Sequence, residues 1–215
     1  MRLKSQLSFL ASGLCLGLLA LGSANASTIS YSGTLSGDDQ VQLYTYIISQ
    51  ASPVTFETNS YSSGGFVPVL SLFNSAGVEI GSDGADQTCY AGMHADSTTG
   101  ICDDALLSEN LAAGSYTLAI TEFFNVPVGP DLSNGFLEQG QGNFTGPTCG
   151  TTGAFYETDI APCVERTDAY SVNITATPEP ATFWLGSVLV AAFFITRRRP
   201  ALANHSLSKG QNNEQ

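Results

Sequence analysis

The sequence predicts an all-β fold, an antiparallel β-sandwich or jelly roll, and three observations carry that expectation. Charged residues make up only 12% of the 215, beside 12 Phe, 8 Tyr and 22 Gly, a composition that suits strands and turns better than disorder or a helical bundle. Short strand-like runs recur with Gly, Asn and Asp between them. Between residues 27 and 177 no stretch sustains a 3.6-residue apolar period with caps. With 43% hydrophobic residues, the chain can fill one packed domain and short membrane-active segments, but not two large domains.

Taken in order, the first element is an address. Arg2 and Lys4 precede an apolar run over 7–21, and Gly22, Ser23, Ala24, Asn25 and Ala26 follow it. This is the pattern of a secretory signal peptide, residues 1–26. Small side chains at Ala24 and Ala26 predict cleavage by signal peptidase before Ser27. The run is short for a membrane span of about 20 residues, which disfavours an uncleaved anchor.

The exported domain then covers 27–177. Strands are predicted over 28–35, 41–49, 53–58, 67–74, 116–122 and 169–175. The run from Val41 to Ile47 alternates imperfectly, as expected when one face packs and the other is only partly wet. Turns are predicted at Gly37-Asp38-Asp39, at Asn74-Ser75-Ala76-Gly77 and at Ala112-Ala113-Gly114.

Two long irregular segments, 82–110 and 124–165, each carry a pair of cysteines, and Cys15 lies in the signal. Four cysteines allow three pairings. Local closure, Cys89 with Cys102 and Cys149 with Cys163, is the least costly because turn formers flank each pair. Each closed loop contributes on the order of 3 kcal/mol. Zinc is disfavoured, since neither a CxxC spacing nor a pair of histidines accompanies them.

Charge narrows the chemistry. Seventeen of the 19 carboxylates lie between residues 27 and 178 against a single base, Arg166, which excludes binding to a nucleic-acid backbone. His94 is the one histidine of this region, in the loop between Cys89 and Cys102 with Asp96 two positions on, and reads as a solvated loop residue. GxSxG, HExxH and phosphate-loop patterns are absent, as is lysine within 27–177. The expectation is therefore a non-enzyme with no catalytic residues. A glycoside hydrolase with an unrecognised carboxylate pair is the enzymatic alternative, weak because proximity means little among so many acids.

The acids have one chemical use in view. Asp83, Asp86, Asp96, Asp103 and Asp104 lie in or beside the first cysteine loop, and hard carboxylate oxygens on loops suit calcium. Asp83-Gly84-Ala85-Asp86 is only a fragment of a calcium-loop pattern, so solvated surface charge is the competing reading.

The last element is a second address. Pro178, Glu179 and Pro180 precede an apolar run over 181–196, followed at once by Arg197, Arg198 and Arg199. As a helix the run would reach about 24 Å, a thin single transmembrane helix. Its arginines fall on the cytoplasmic side, with the domain outside and 200–215 as a polar cytoplasmic tail. Trp184 suits the outer interface.

The proline-glutamate-proline motif, the hydrophobic helix and the arginine cluster, in that order over 178–199, resemble the PEP-CTERM sorting signal of exopolysaccharide-producing Gram-negative bacteria. The resemblance implies processing near Pro178-Glu179-Pro180 by exosortase, a membrane-embedded cysteine transpeptidase. It further implies transient retention in the inner membrane and delivery to the cell surface or extracellular matrix. The tail after Pro200 departs from the usual pattern, in which the chain stops soon after the basic cluster.

Within the domain, Gly37-Asp38-Asp39, the segment Leu70-Ser71-Leu72-Phe73-Asn74-Ser75-Ala76-Gly77, Asp83 and Leu111-Ala112-Ala113-Gly114-Ser115-Tyr116-Thr117-Leu118 resemble the bacterial pre-peptidase C-terminal domain. Gly135-Phe136, Gly142-Asn143-Phe144-Thr145 and the closing segment 166–174 are similar to a family of exported PEP-CTERM proteins of unknown function. These resemblances imply a secretion-associated β-sandwich without catalytic residues, with relatives that bind collagen or polysaccharide. The expected role is adhesive or structural, in association with exopolysaccharide and biofilm, and the alternative is a carbohydrate-binding module.

Overall fold

The computed structural model describes residues 26–84 and 88–177. The predicted signal peptide up to Asn25, the sorting signal from Pro178 to Arg199, the tail and Asp86 lie outside the described residues. Among the described residues no helix is long and apolar enough to cross a membrane.

The domain is all-β, and every predicted strand forms within two residues of its expected ends. The strands are β1 (Ser27–Thr34), β2 (Val41–Ile48), β3 (Ser52–Thr58), β4 (Pro68–Phe73), β5 (Glu79–Asp83), β6 (Leu106–Leu111), β7 (Gly114–Glu122), β8 (Tyr156–Glu157), β9 (Val164–Glu165) and β10 (Ala169–Ala176). One antiparallel sheet has the order β1-β10-β3-β6 and the other β2-β7-β4-β5, with β8 and β9 as a separate short hairpin. Of these, β5, β6, β8 and β9 were not expected, so the segments 82–110 and 124–165 are less irregular than the sequence suggests.

Alternation explains why the sheets face each other. In β3 Val54 and Phe56 point inward, in β10 Val172 and Ile174 do, and Leu70, Leu72, Leu118 and Ile120 meet them from the second sheet in one buried cluster. Aromatic pairs bridge the gap. Tyr46 of β2 sets its edge on Phe56 of β3 at 5.7 Å, and Tyr31 of β1 stacks on Tyr44 of β2 at 4.1 Å.

Strand β4 is buried at all six positions, which a sheet open to water on one side would not allow. The segment after β7 provides the cover. Phe136 lies edge-on to Phe73 at 6.4 Å, and with Ala119 they make a second, smaller core on the outer face.

The long connections leave the sheets at one end, where β3 and β7 finish and β4, β6 and β10 begin. A short helix α1 (Thr145–Thr148) lies there, close to the chain at Gly153. A Cβ on Gly146 would collide with the Gly153 carbonyl oxygen, so this approach requires glycine.

Candidate functional site: a buried acidic network around Arg166

The end that carries the long loops is polar inside. Disulfides join Cys89 to Cys102 and Cys149 to Cys163, so each long segment is closed locally. Such bonds fit an oxidising compartment. Replacing both cysteines of the second pair by serine is expected to cost about 2–4 kcal/mol, read from the denaturant midpoint of the oxidised protein.

Within the second loop β8 and β9 pair Tyr156 with Glu165 and Glu157 with Val164. The Arg166 amide donates to the Phe155 carbonyl at 2.7 Å, extending the hairpin by one pair. Two-residue periodicity then puts Glu157 and Arg166 on one face as diagonal neighbours. Phe155 pays for this with a left-handed φ of 60° while its buried ring stacks on Phe66 at 5.5 Å.

The Arg166 guanidinium is buried and fully engaged. Nε donates to the Gly65 carbonyl at 2.9 Å, Nη2 to the Tyr61 carbonyl, and Nη1 lies 3.2 Å from Asp96 Oδ1. Its central carbon sits 4.0 Å above the Tyr61 ring, a cation–π contact inside the protein. The Tyr61 hydroxyl donates to Glu157 Oε1 at 2.8 Å and lies 2.9 Å from Thr99 Oγ1. Burial, foremost, drives the Tyr61 phenol far above its ordinary value.

Of the five aspartates singled out from the sequence, the four among the described residues, Asp83, Asp96, Asp103 and Asp104, do not gather at one point. Asp96 accepts the amides of Thr98 and Thr99 in a tight turn as well as pairing with Arg166. Burial alone would raise its pKa, but the Thr99 amide, the Arg166 charge and the Thr98 amide outweigh it and hold the carboxyl below the ordinary value. Asp104 accepts Thr58 Oγ1 and the amides of Tyr61 and Ser62, so it fixes the 3-10 turn Tyr61–Ser63. Asp83 accepts the Leu106 amide at 2.6 Å and ties β5 to β6. Asp103 is completely buried. For Asp96, Asp103 and Asp104 the surface-charge reading is therefore corrected: these acids are interior because the loops fold over them. His94 is exposed, while the Asp96 carboxylate turns inward to Arg166.

Asp103 instead meets two residues that sequence reasoning missed. Asp103, Glu157 and Asp159 each bring one carboxylate oxygen within 4.8 Å of the others, with Asp159 exposed. Glu157 is pushed above its ordinary value, first by burial; Tyr61 and Arg166 pull it down, and Asp103 and Asp159 push it up. The signal in the sequence was Arg166 itself, a lone base among seventeen acids.

Three further acids lie at this end. Asp38 is buried and accepts the Phe144 and Thr145 amides and the Thr145 hydroxyl, while Asp39 accepts the Gly142 amide. The predicted early turn is thus a clamp on the loop before α1. Glu122, at the end of β7, is fully buried and raised well above its ordinary value, by burial first and then by Asp38.

Scans against protein-family models and curated proteins find no match to the chain.

Proposed function

We propose that this is a non-enzymatic exported protein of the cell surface or extracellular matrix, an exosortase substrate associated with exopolysaccharide. The observation that carries the reading is the pair of disulfides closing both long loops of an all-β domain, which suits the oxidising exterior. The sequence supplies the addresses on either side, the predicted signal peptide and the motif Pro178-Glu179-Pro180 with its helix and arginines. We further read the domain as a jelly roll. Setting aside the β8–β9 hairpin, the eight remaining strands divide four and four, and apart from β4 and β5, which pair as a hairpin, successive strands pass from sheet to sheet as paired Greek keys do.

The experiment is to fractionate producing cells and determine the mature carboxyl terminus by mass spectrometry. Processing predicts a chain ending near Pro180 in the surface or matrix fraction. A chain intact through Gln215, or a cytosolic protein with reduced thiols, overturns the reading.

One observation favours carbohydrate recognition as the second reading. Phe124 is half exposed, holds a left-handed φ of 72°, and stands on the same segment as exposed Val126, Val128 and Leu137. An exposed ring can stack on a sugar face. Saturable pull-down on the strain's own polysaccharide, lost in Phe124→Ala, would establish recognition; no retention of the wild-type protein would leave the scaffold role.

A further inference from the structure

Six carboxylates are buried in the described residues, Asp38, Asp96, Asp103, Asp104, Glu122 and Glu157, against one buried guanidinium. Amides and hydroxyls answer Asp38, Asp96 and Asp104, and Asp96 also takes the direct ion pair. Glu157 is answered on one side only. Its side chain has no exposed surface, Oε1 accepts the Tyr61 hydroxyl, and Oε2 meets no hydrogen-bond donor of the protein. The Arg166 Nη1 atom is 3.9 Å from that oxygen, beyond hydrogen-bond reach. A buried carboxylate oxygen in this position calls for a positive partner of its own.

We propose that Asp103, Glu157 and Asp159 form a calcium site. Oxygens bound to one calcium ion at 2.3–2.6 Å can be at most about 5 Å apart, and these three residues offer oxygens within 4.8 Å of one another. Exposed Asp159 opens the site to solvent, so an ion can enter and waters can complete its coordination. The ion joins Asp103, the residue after Cys102, to two residues enclosed by the Cys149–Cys163 bond. It thereby fastens one disulfide loop to the other. The site is not the five-aspartate set expected from the sequence, and it does not rest on the sorting or export reading.

The test uses the full chain, purified in mild detergent and stripped with EDTA, with calcium chloride as the probe. Titration calorimetry should show one tight site, and calcium at a hundred times its Kd should raise the Tm by about 5–10 °C. Asp159→Asn, a change at an exposed side chain, should abolish both effects. Glu165→Gln, on the same hairpin but outside the site, should leave them intact. Absence of binding to the wild-type protein overturns the proposal. So does an unchanged Tm shift in Asp159→Asn, or a shift lost in Asp86→Asn and kept in Asp159→Asn, which would place the ion in the first loop.

Discussion

Replacing Arg166 by methionine is expected to lower the stability of the domain by about 3–5 kcal/mol, the cost of leaving buried charges without their partner. The side chain joins Asp96, Gly65 and Tyr61 and lies near Glu157, so its removal takes the nearby guanidinium from two interior carboxylates and one donor each from the Gly65 and Tyr61 carbonyls. For a domain of this size the loss corresponds to a fall of about 10 °C in Tm. Adding Glu157→Gln to the methionine variant should recover part of it, because one uncompensated charge disappears. Urea unfolding of the two variants and the wild type measures both effects. A loss below about 1 kcal/mol, or no recovery in the double variant, would contradict the central role given to the guanidinium.

Glu122→Gln should act in the opposite direction and stabilise the protein at pH 8 by about 1–3 kcal/mol, the range for an unsatisfied buried polar group. Glu122 is fully buried, and its Oε2 meets no hydrogen-bond donor. Its folded-state pKa lies above the ordinary value of 4.5, so from about that pH upward the folded state binds more protons than the unfolded one. Stability therefore falls as pH rises through this window and levels once the folded-state value is passed. Glutamine removes that slope. Glu157 contributes a slope of the same sign, whereas Asp96, held low, adds stability that is lost only as pH falls into the acid range. Thermal unfolding of wild type and Glu122→Gln from pH 4.5 to 8, with EDTA present, separates these contributions. Equal stability of the two at pH 8 would show that the carboxyl carries no penalty there.

The strands that the sequence revealed are those whose burial alternates or is continuous. β3, with Ser52, Val54, Phe56 and Thr58 inward, reads directly from its residues. β5 escaped because Glu79-Ile80-Gly81-Ser82-Asp83 has no fully buried position, being an edge strand held mainly by its neighbour. β6 escaped because Leu107 and Leu111 are four apart, with Ser108, Glu109 and Asn110 between them, a spacing without the signature of a strand. Local cysteine closure was legible from the turn formers, and the structure forms both bonds. The acidic interior was not. A buried aspartate and a solvated one have the same side chain, and Asp38 is interior because residues 144 and 145 return across it from more than a hundred residues away, while its neighbour Asp39 meets only the Gly142 amide at the edge of that loop and stays partly exposed. Glu157 and Asp159 were hidden for the same reason, since their relation to Asp103 is made only by folding.

The pairing of Ser27 with Ala176 on adjacent strands means that the domain starts and finishes at one place. A linker of a few residues could close it into a ring, and new ends could be opened at the exposed turn after Asn74 with the same strands still paired. The same geometry lets the sandwich be spliced into a surface loop of a host protein as a bead on a single stalk, without prising the host's loop apart.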